Sequence, residues 1–170
     1  MAFNRFNSIS LFLFSLLLFE WGIGPSINSV YSQTVPYNLD RLKCEELAGQ
    51  AEEKYRLPKN ILLSIARVES GYGKVDGITR SWPWTLNAGG NSAYFETTGD
   101  AVKDLKAKLK RGKRNIDLGC MQINYKWHKR FFKNVNHMMD PSSNVDYGAR
   151  FLKRLYQRHG SWDKAIKYYH

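Results

Sequence analysis

Apolar residues recur at helical spacing in five stretches of this chain, with glycine or proline at most junctions between them. That pattern restricts the fold to short and medium helices packed around one core. Cys44, Leu47, Ala48, Ala51 and Tyr55 form the first stripe, in a helix that Asn38 is placed to cap. Pro58 suits the first turn of a second helix, where the N–H it lacks would have no partner. Leu62, Ile65, Ala66 and Glu69 follow at i, i+3, i+4 and i+7, and Gly71 stops the run. Val102, Leu105 and Leu109 mark a lysine-rich helix from Asp100 to Arg111, ended by Gly112. Asn144 is placed to cap a helix with Val145, Gly148, Leu152 and Leu155 on one face, which Gly160 stops. Ser161 is placed to cap a last helix carrying Trp162, Ala165, Ile166 and Tyr169.

Two intervals depart from that period. Residues 82–95 read as two short strands around Gly89-Gly90-Asn91. The stretch from Asn115 to Asn124 has no decisive period, and a brief helix over Trp127–Phe132 follows it. The expected class is therefore mainly α, a single helical domain over residues 38–170 with a small β-hairpin insertion. A chain of 170 residues can bury a core of its own, and 43% hydrophobic residues argue against wholesale disorder.

The N-terminus reads as an address rather than a fold element. Arg5 precedes an apolar run from Ile9 to Phe19, too short to span a bilayer and suited to a signal peptide over residues 1–32, with a linker over 33–37. A short anchor or a buried helix are the alternatives. No cysteine follows that run, which argues against a lipid anchor. Export leaves Cys44 and Cys120 in the mature chain, either as one disulfide or as two buried thiols. Twenty-six Lys and Arg against 15 Asp and Glu give a net charge of +11, which favours an acidic partner such as a cell wall, a membrane surface or nucleic acid. No nucleic-acid motif is present, and the leader speaks against that partner. The four histidines lack zinc-like spacing with the cysteines, so no metal and no cofactor is expected.

Glu69 continues the apolar stripe of its helix, so its side chain should point toward packed structure. It also stands in the last turn, where unpaired carbonyls disfavour an anion. Such a setting favours the neutral acid, which is what a general acid for glycosidic cleavage requires. The plainer reading is a boundary glutamate paired with an arginine or a lysine.

Four motifs decide between these readings. The stretch Ile61–Gly73, with Glu69-Ser70-Gly71, resembles the catalytic motif of the soluble lytic transglycosylases, relatives of goose-type lysozymes. Gly119-Cys120-Met121-Gln122-Ile123-Asn124 is similar to that family's Gly-Leu-Met-Gln motif, with Cys120 at the leucine position. Asn144–Leu152 resembles its Asn-x-Ala-Gly-Ala helix, and Ala165–His170 its closing Ala-x-x-x-Tyr-Asn motif, with His170 at the asparagine position. The motifs stand in the family's order and cover nearly all of residues 40–170.

The resemblance implies a lysozyme-like fold, an exported periplasmic enzyme and peptidoglycan glycan strands as substrate. It implies Glu69 as single catalytic acid/base, and Ser70, Met121, Gln122, Asn144 and Tyr169 as substrate-cleft residues. Plain core packing would explain Met121 and Tyr169 equally well. The interval from Glu69 to Gly119 is longer than in compact members. Lys103, Lys106, Lys108 and Lys110 on its helix either hold an acidic strand or form a solvated face. The rivals are a hydrolytic lysozyme using Asp76 or Asp117 as second carboxylate and a non-catalytic wall-binding module of a secretion machine. Family members also serve such machines, which are the partner expected beyond the wall itself.

Overall fold

The computed structural model of the protein describes residues 40–75 and 77–169. The expected leader and linker, and with them Asn38, Asp76 and His170, lie outside the described residues. Seven α-helices appear among the described residues. Helices α1 (Asp40–Tyr55) and α2 (Ile61–Ser70) come first, then four short strands, β1 (Gly71–Val75), β2 (Ile78–Ser81), β3 (Thr85–Ala88) and β4 (Asn91–Tyr94). Helix α3 (Thr98–Lys110) leads to β5 (Asp117–Leu118) and β6 (Ile123–Asn124). Helix α4 (Tyr125–His128), a 3-10 turn at Lys129–Phe131, α5 (Val135–Met139), α6 (Pro141–His159) and α7 (Trp162–Lys167) complete the fold. None of these helices is long and apolar enough to cross a membrane.

The stripes legible in the sequence are the ones that meet in the core. Cys44, Ala48 and Ala51 of α1, Leu62, Ile65 and Ala66 of α2, and Val145, Leu152 and Leu155 of α6 are buried in one cluster. Helix α1 packs against both α2 and α6, and α6 carries α7. Full burial of each leucine, isoleucine or valine among them stabilises by about 1.5–3 kcal/mol.

The β structure exceeds the single hairpin expected. That hairpin exists, with Leu86 opposite Ala93 and Asn87 opposite Ser92 around the Gly89-Gly90 turn. It is half of a four-stranded antiparallel sheet ordered β4-β3-β5-β6. Strands β1 and β2 form a separate two-stranded sheet. Gly71 does end α2, but in an extended conformation rather than a left-handed one. Glycine is needed there for room, since a Cβ would lie 2.5 Å from the Arg67 carbonyl oxygen and 2.7 Å from the Thr79 methyl.

Helix α2 starts on a remote cap. Asn60 at its N-cap position makes no side-chain capping bond. Instead the buried carboxylate of Glu52, on α1, accepts from the backbone N–H groups of Asn60, Leu62 and Leu63 at 2.8, 2.8 and 3.1 Å. This meets the need of the first-turn donors and places a negative charge at the positive helix end. Helix α6 begins at Pro141, with Asp140 as cap accepting from the Ser143 N–H at 2.8 Å. Asn144 therefore does not cap it, and lies one turn inside. Ser161 holds the cap position of α7 but makes no side-chain bond there.

A three-residue ion cluster ties α1 to the far end of α2. Glu45, buried on α1, accepts from Arg67 at 2.8 and 3.0 Å and from Arg80 of β2 at 2.7 Å. Burial by itself would push the Glu45 carboxyl up, but the bonds from Arg67 and Arg80 outweigh it and hold it below the usual carboxylate range. A carboxyl depressed on folding contributes stability that is present above its unfolded pKa and lost as pH falls through its folded one. Glu45→Gln should therefore lower stability at neutral pH by about 2 kcal/mol and flatten the acid limb of a stability-against-pH curve, read by urea denaturation.

Candidate active site

Helix α2 delivers Glu69 to the wall of an open cleft. The cleft has a volume of about 520 Å³, and its walls are Ile61, Ile65, Val68 and Ile166, with Lys59, Asn60, Ser64, Glu69 and Tyr169 as polar groups. Glu69 is half-buried, as its place at the end of the stripe required. Arg67, the arginine nearest to it in sequence, is bonded to Glu45. Tyr169 is 7% exposed. Burial first, and then the charge of Glu69, raise its phenol well above the ordinary range, so the hydroxyl stays protonated and donates to the Met121 carbonyl at 3.2 Å.

Tyr169 also lines a second pocket of about 260 Å³, with Asp117, Gln122, Asn124, Trp127, His128 and Phe151. The two hollows thus adjoin at one buried tyrosine.

The turn between β5 and β6 forms the floor under that junction. Gly119 takes φ 75° and Gln122 φ 42°, both left-handed, and the Gln122 N–H closes the turn on the Gly119 carbonyl at 3.2 Å. A non-glycine residue held there costs about 1–3 kcal/mol, which the surroundings must over-determine. They do so through side chains. Asn144, fully buried, accepts from the Met121 N–H at 2.9 Å and donates to the carbonyls of Leu118 and Met138 at 2.9 and 3.0 Å. Gln122 donates to the Gly119 and Thr85 carbonyls at 3.0 and 3.3 Å. Ser70 bonds to the Cys120 carbonyl at 2.8 Å and to that of Ala66 at 3.0 Å. A disulfide between Cys120 and Cys44, with Cα atoms 5.5 Å apart, ties the turn to α1.

The six residues singled out in the sequence are thus brought together at different depths. Glu69, Gln122 and Tyr169 line the hollows. Ser70, Met121 and Asn144 have no exposed surface and shape the floor from beneath. Gly148 of α6 supplies the room, because a Cβ there would lie 2.8 Å from Met121 Cγ and 2.9 Å from the Tyr169 hydroxyl. Asp117, the second carboxylate of the hydrolytic rival, sits half-buried on β5, accepts from Asn124 Nδ2 at 2.7 Å, and faces the second pocket. Lys103, Lys106 and Lys110 are exposed on α3, and Lys108 pairs with Asp104. Among the described residues no three His, Cys, Asp or Glu gather as a metal site would require.

Sequence reasoning passed over Trp127, His128, Tyr147 and Phe151. His128 Nδ1 lies 2.7 Å from the Tyr147 hydroxyl, which Arg154 approaches at 3.4 Å. An arginine can only donate, so Tyr147 accepts from Arg154 and shares a second hydrogen bond with His128 Nδ1. Burial, and then Arg154 and Arg130, lower the His128 pKa, which agrees with a neutral ring. A four-residue helix has too little period to announce such a group.

An acidic residue in a cleft between helices, beside a small sheet, defines a lysozyme-like domain. The chain is more narrowly placed by its match, over residues 46–170, to the family model described as the Transglycosylase SLT domain. It belongs to that family, whose members are typically lytic transglycosylases acting on peptidoglycan in the cell envelope. No curated protein and no solved structure matches the chain.

Proposed function

We propose that the protein is an exported enzyme that cleaves the β-1,4 bond between N-acetylmuramic acid and N-acetylglucosamine, with Glu69 as single acid/base and a 1,6-anhydro sugar as product. The observation that carries this reading is the position of Glu69, half-buried in the wall of an open cleft and beside the buried Tyr169.

The chemistry asks little more of the protein than a carboxyl group held in place. The neutral acid gives its proton to the bridging oxygen as the bond to C1 of the muramic residue breaks. The cation left at C1 is stabilised by the substrate's own acetamido oxygen. Glu69, now a carboxylate, takes the proton of the C6 hydroxyl, whose oxygen closes on C1. Proton and bond counts balance without water, and Glu69 returns to its neutral form. An intramolecular hydroxyl has a large effective concentration, so no second residue need hold a nucleophile.

One observation favours a second reading. Asp117 lines the hollow that adjoins that of Glu69 at Tyr169. A carboxylate there could activate water and make the enzyme a hydrolase, as inverting glycosidases do with a separated pair. Mass spectrometry of the soluble products from purified peptidoglycan separates the two. Anhydro-muropeptides, lighter than reducing muropeptides by one water, are expected. Reducing ends alone would overturn the single-carboxylate mechanism and direct attention to Asp117. No product from folded protein would overturn the activity itself.

A further inference from the structure

The four-stranded sheet has two unlike faces. Leu86, Leu118 and Ile123 stand opposite one another across β3, β5 and β6, and all three are buried. Side chains alternate along a strand, so their neighbours form the other face. There, one cross-strand row runs Ser92, Asn87, Asp117 and Asn124. Its members are already bonded in part, Asn87 to Ser92 at 3.3 Å and Asn124 to Asp117 at 2.7 Å. Asp117 and Asn124 of the row line the hollow that holds Gln122 and Tyr169. The row thus leads from that hollow across the insertion.

Tyr94 stands on this same face, opposite Thr85 and next along β4 from Ser92. Its ring stacks on that of Tyr72, with centroids 4.2 Å apart and planes at 17°. More than a third of each residue remains exposed, at 36% for Tyr94 and 38% for Tyr72. The pair is held rigidly. Trp82, buried and donating its indole N–H to the Phe95 carbonyl at 2.7 Å, packs against Tyr72. The Tyr94 hydroxyl donates to the Gly71 carbonyl at 3.2 Å. Gly71, which the Tyr94 hydroxyl bonds, is two residues beyond Glu69 in the chain.

We propose that the Tyr72–Tyr94 ledge and the polar row beside it form a glycan-binding subsite, which carries an N-acetylhexosamine strand from the catalytic cleft out over the insertion. This rests on the glycan-cleaving reading of Glu69. A sugar ring presents an apolar face of C–H groups, which an exposed, immobilised aromatic ring covers at low entropy cost. Its equatorial edge presents hydroxyl and acetamido groups, which amide, hydroxyl and carboxylate side chains match as donors and acceptors. The occupant is argued from continuity, since Asp117 and Asn124 of the row line the hollow that adjoins the Glu69 cleft at Tyr169. Alternatives fit less well: a nucleic acid would meet the carboxylate of Asp117 at the centre of the row, and an apolar protein partner would meet amides.

The test uses full-length protein carrying Glu69→Gln, titrated with an N-acetylglucosamine hexasaccharide and followed by tryptophan fluorescence. Tyr94→Ala is expected to weaken binding about ten-fold, and in the active enzyme to raise KM by a similar factor with kcat within about two-fold. Tyr94→Leu, which keeps apolar bulk for folding but no ring, should do the same. Tyr94→Phe, which loses only the bond to Gly71, should bind like the parent. Parent-like binding by both Tyr94→Ala and Tyr94→Leu would overturn the proposal, as would an equal loss from Tyr94→Phe. The two readings fail separately. An enzyme that cleaves peptidoglycan with unchanged KM in the Tyr94 variants has no ledge subsite. A protein that cleaves nothing, yet loses hexasaccharide affinity with the ring, keeps the ledge and loses the activity.

Discussion

Replacing Glu69 with glutamine is expected to reduce peptidoglycan cleavage by about a thousand-fold or more while leaving the melting temperature nearly unchanged. Glutamine preserves the shape and the polarity of the side chain, and the residue sits half-exposed in a cleft wall rather than in the core. Packing therefore gives no reason for a stability change. What is lost is the transferable proton: an amide can neither protonate the glycosidic oxygen nor take a proton from the C6 hydroxyl. In the proposed reaction both halves use the same group, so one substitution would block both. The measurement is turnover of soluble muropeptides alongside thermal unfolding. Activity within ten-fold of the parent would remove Glu69 from its assigned role. A matching fall in melting temperature would mean that the glutamate supports the fold.

The second large effect belongs to the bond between Cys44 and Cys120. It closes a loop of 76 residues in sequence separation, which in the chain-entropy account is worth about 4.5 kcal/mol. That is a large part of the stability of an ordinary domain. The expected result for Cys44→Ala/Cys120→Ala is a urea midpoint shifted down by most of this amount. Its effect should also reach catalysis. Cys120 lies in the turn that carries Met121 and Gln122 and that accepts the Ser70 hydroxyl, one residue from Glu69. Loss of activity below the unfolding transition, at urea concentrations where the parent is fully active, would show this second effect. An unchanged midpoint would mean that the reduced chain is already held as tightly by its core.

Much of this was legible in the sequence, for reasons that differ by element. The stripes of α1, α2, α3 and α6 could be read because each buries one face against neighbours, which imposes a period. The cleft-wall position of Glu69 was legible because it interrupts the chemistry of such a stripe without breaking its spacing. The start of α6 was misplaced because Asn144 and Asp140 are both good caps, and only Asp140 stands before a proline at the first helical turn. Strand β1 escaped notice because Gly-Tyr-Gly-Lys-Val has no alternation. The second hollow was invisible for another reason. It is assembled from residues between Asp117 and Tyr169 on five separate pieces of chain, and no local pattern records such a meeting.

Helix α6 ties much of the cleft together. Asn144 holds the β5–β6 turn, Gly148 makes room for Met121 and Tyr169, and Tyr147 bonds the ring of His128. These attachments fall within two turns of one helix, so sliding α6 would disturb the floor and both hollows at once. The β3–β4 hairpin stands outside this frame: its outer strand is a sheet edge and its tip is two exposed glycines. On the proposed function, one helix would then set the geometry at the bond to be broken, while the hairpin could vary in length or sequence without disturbing it.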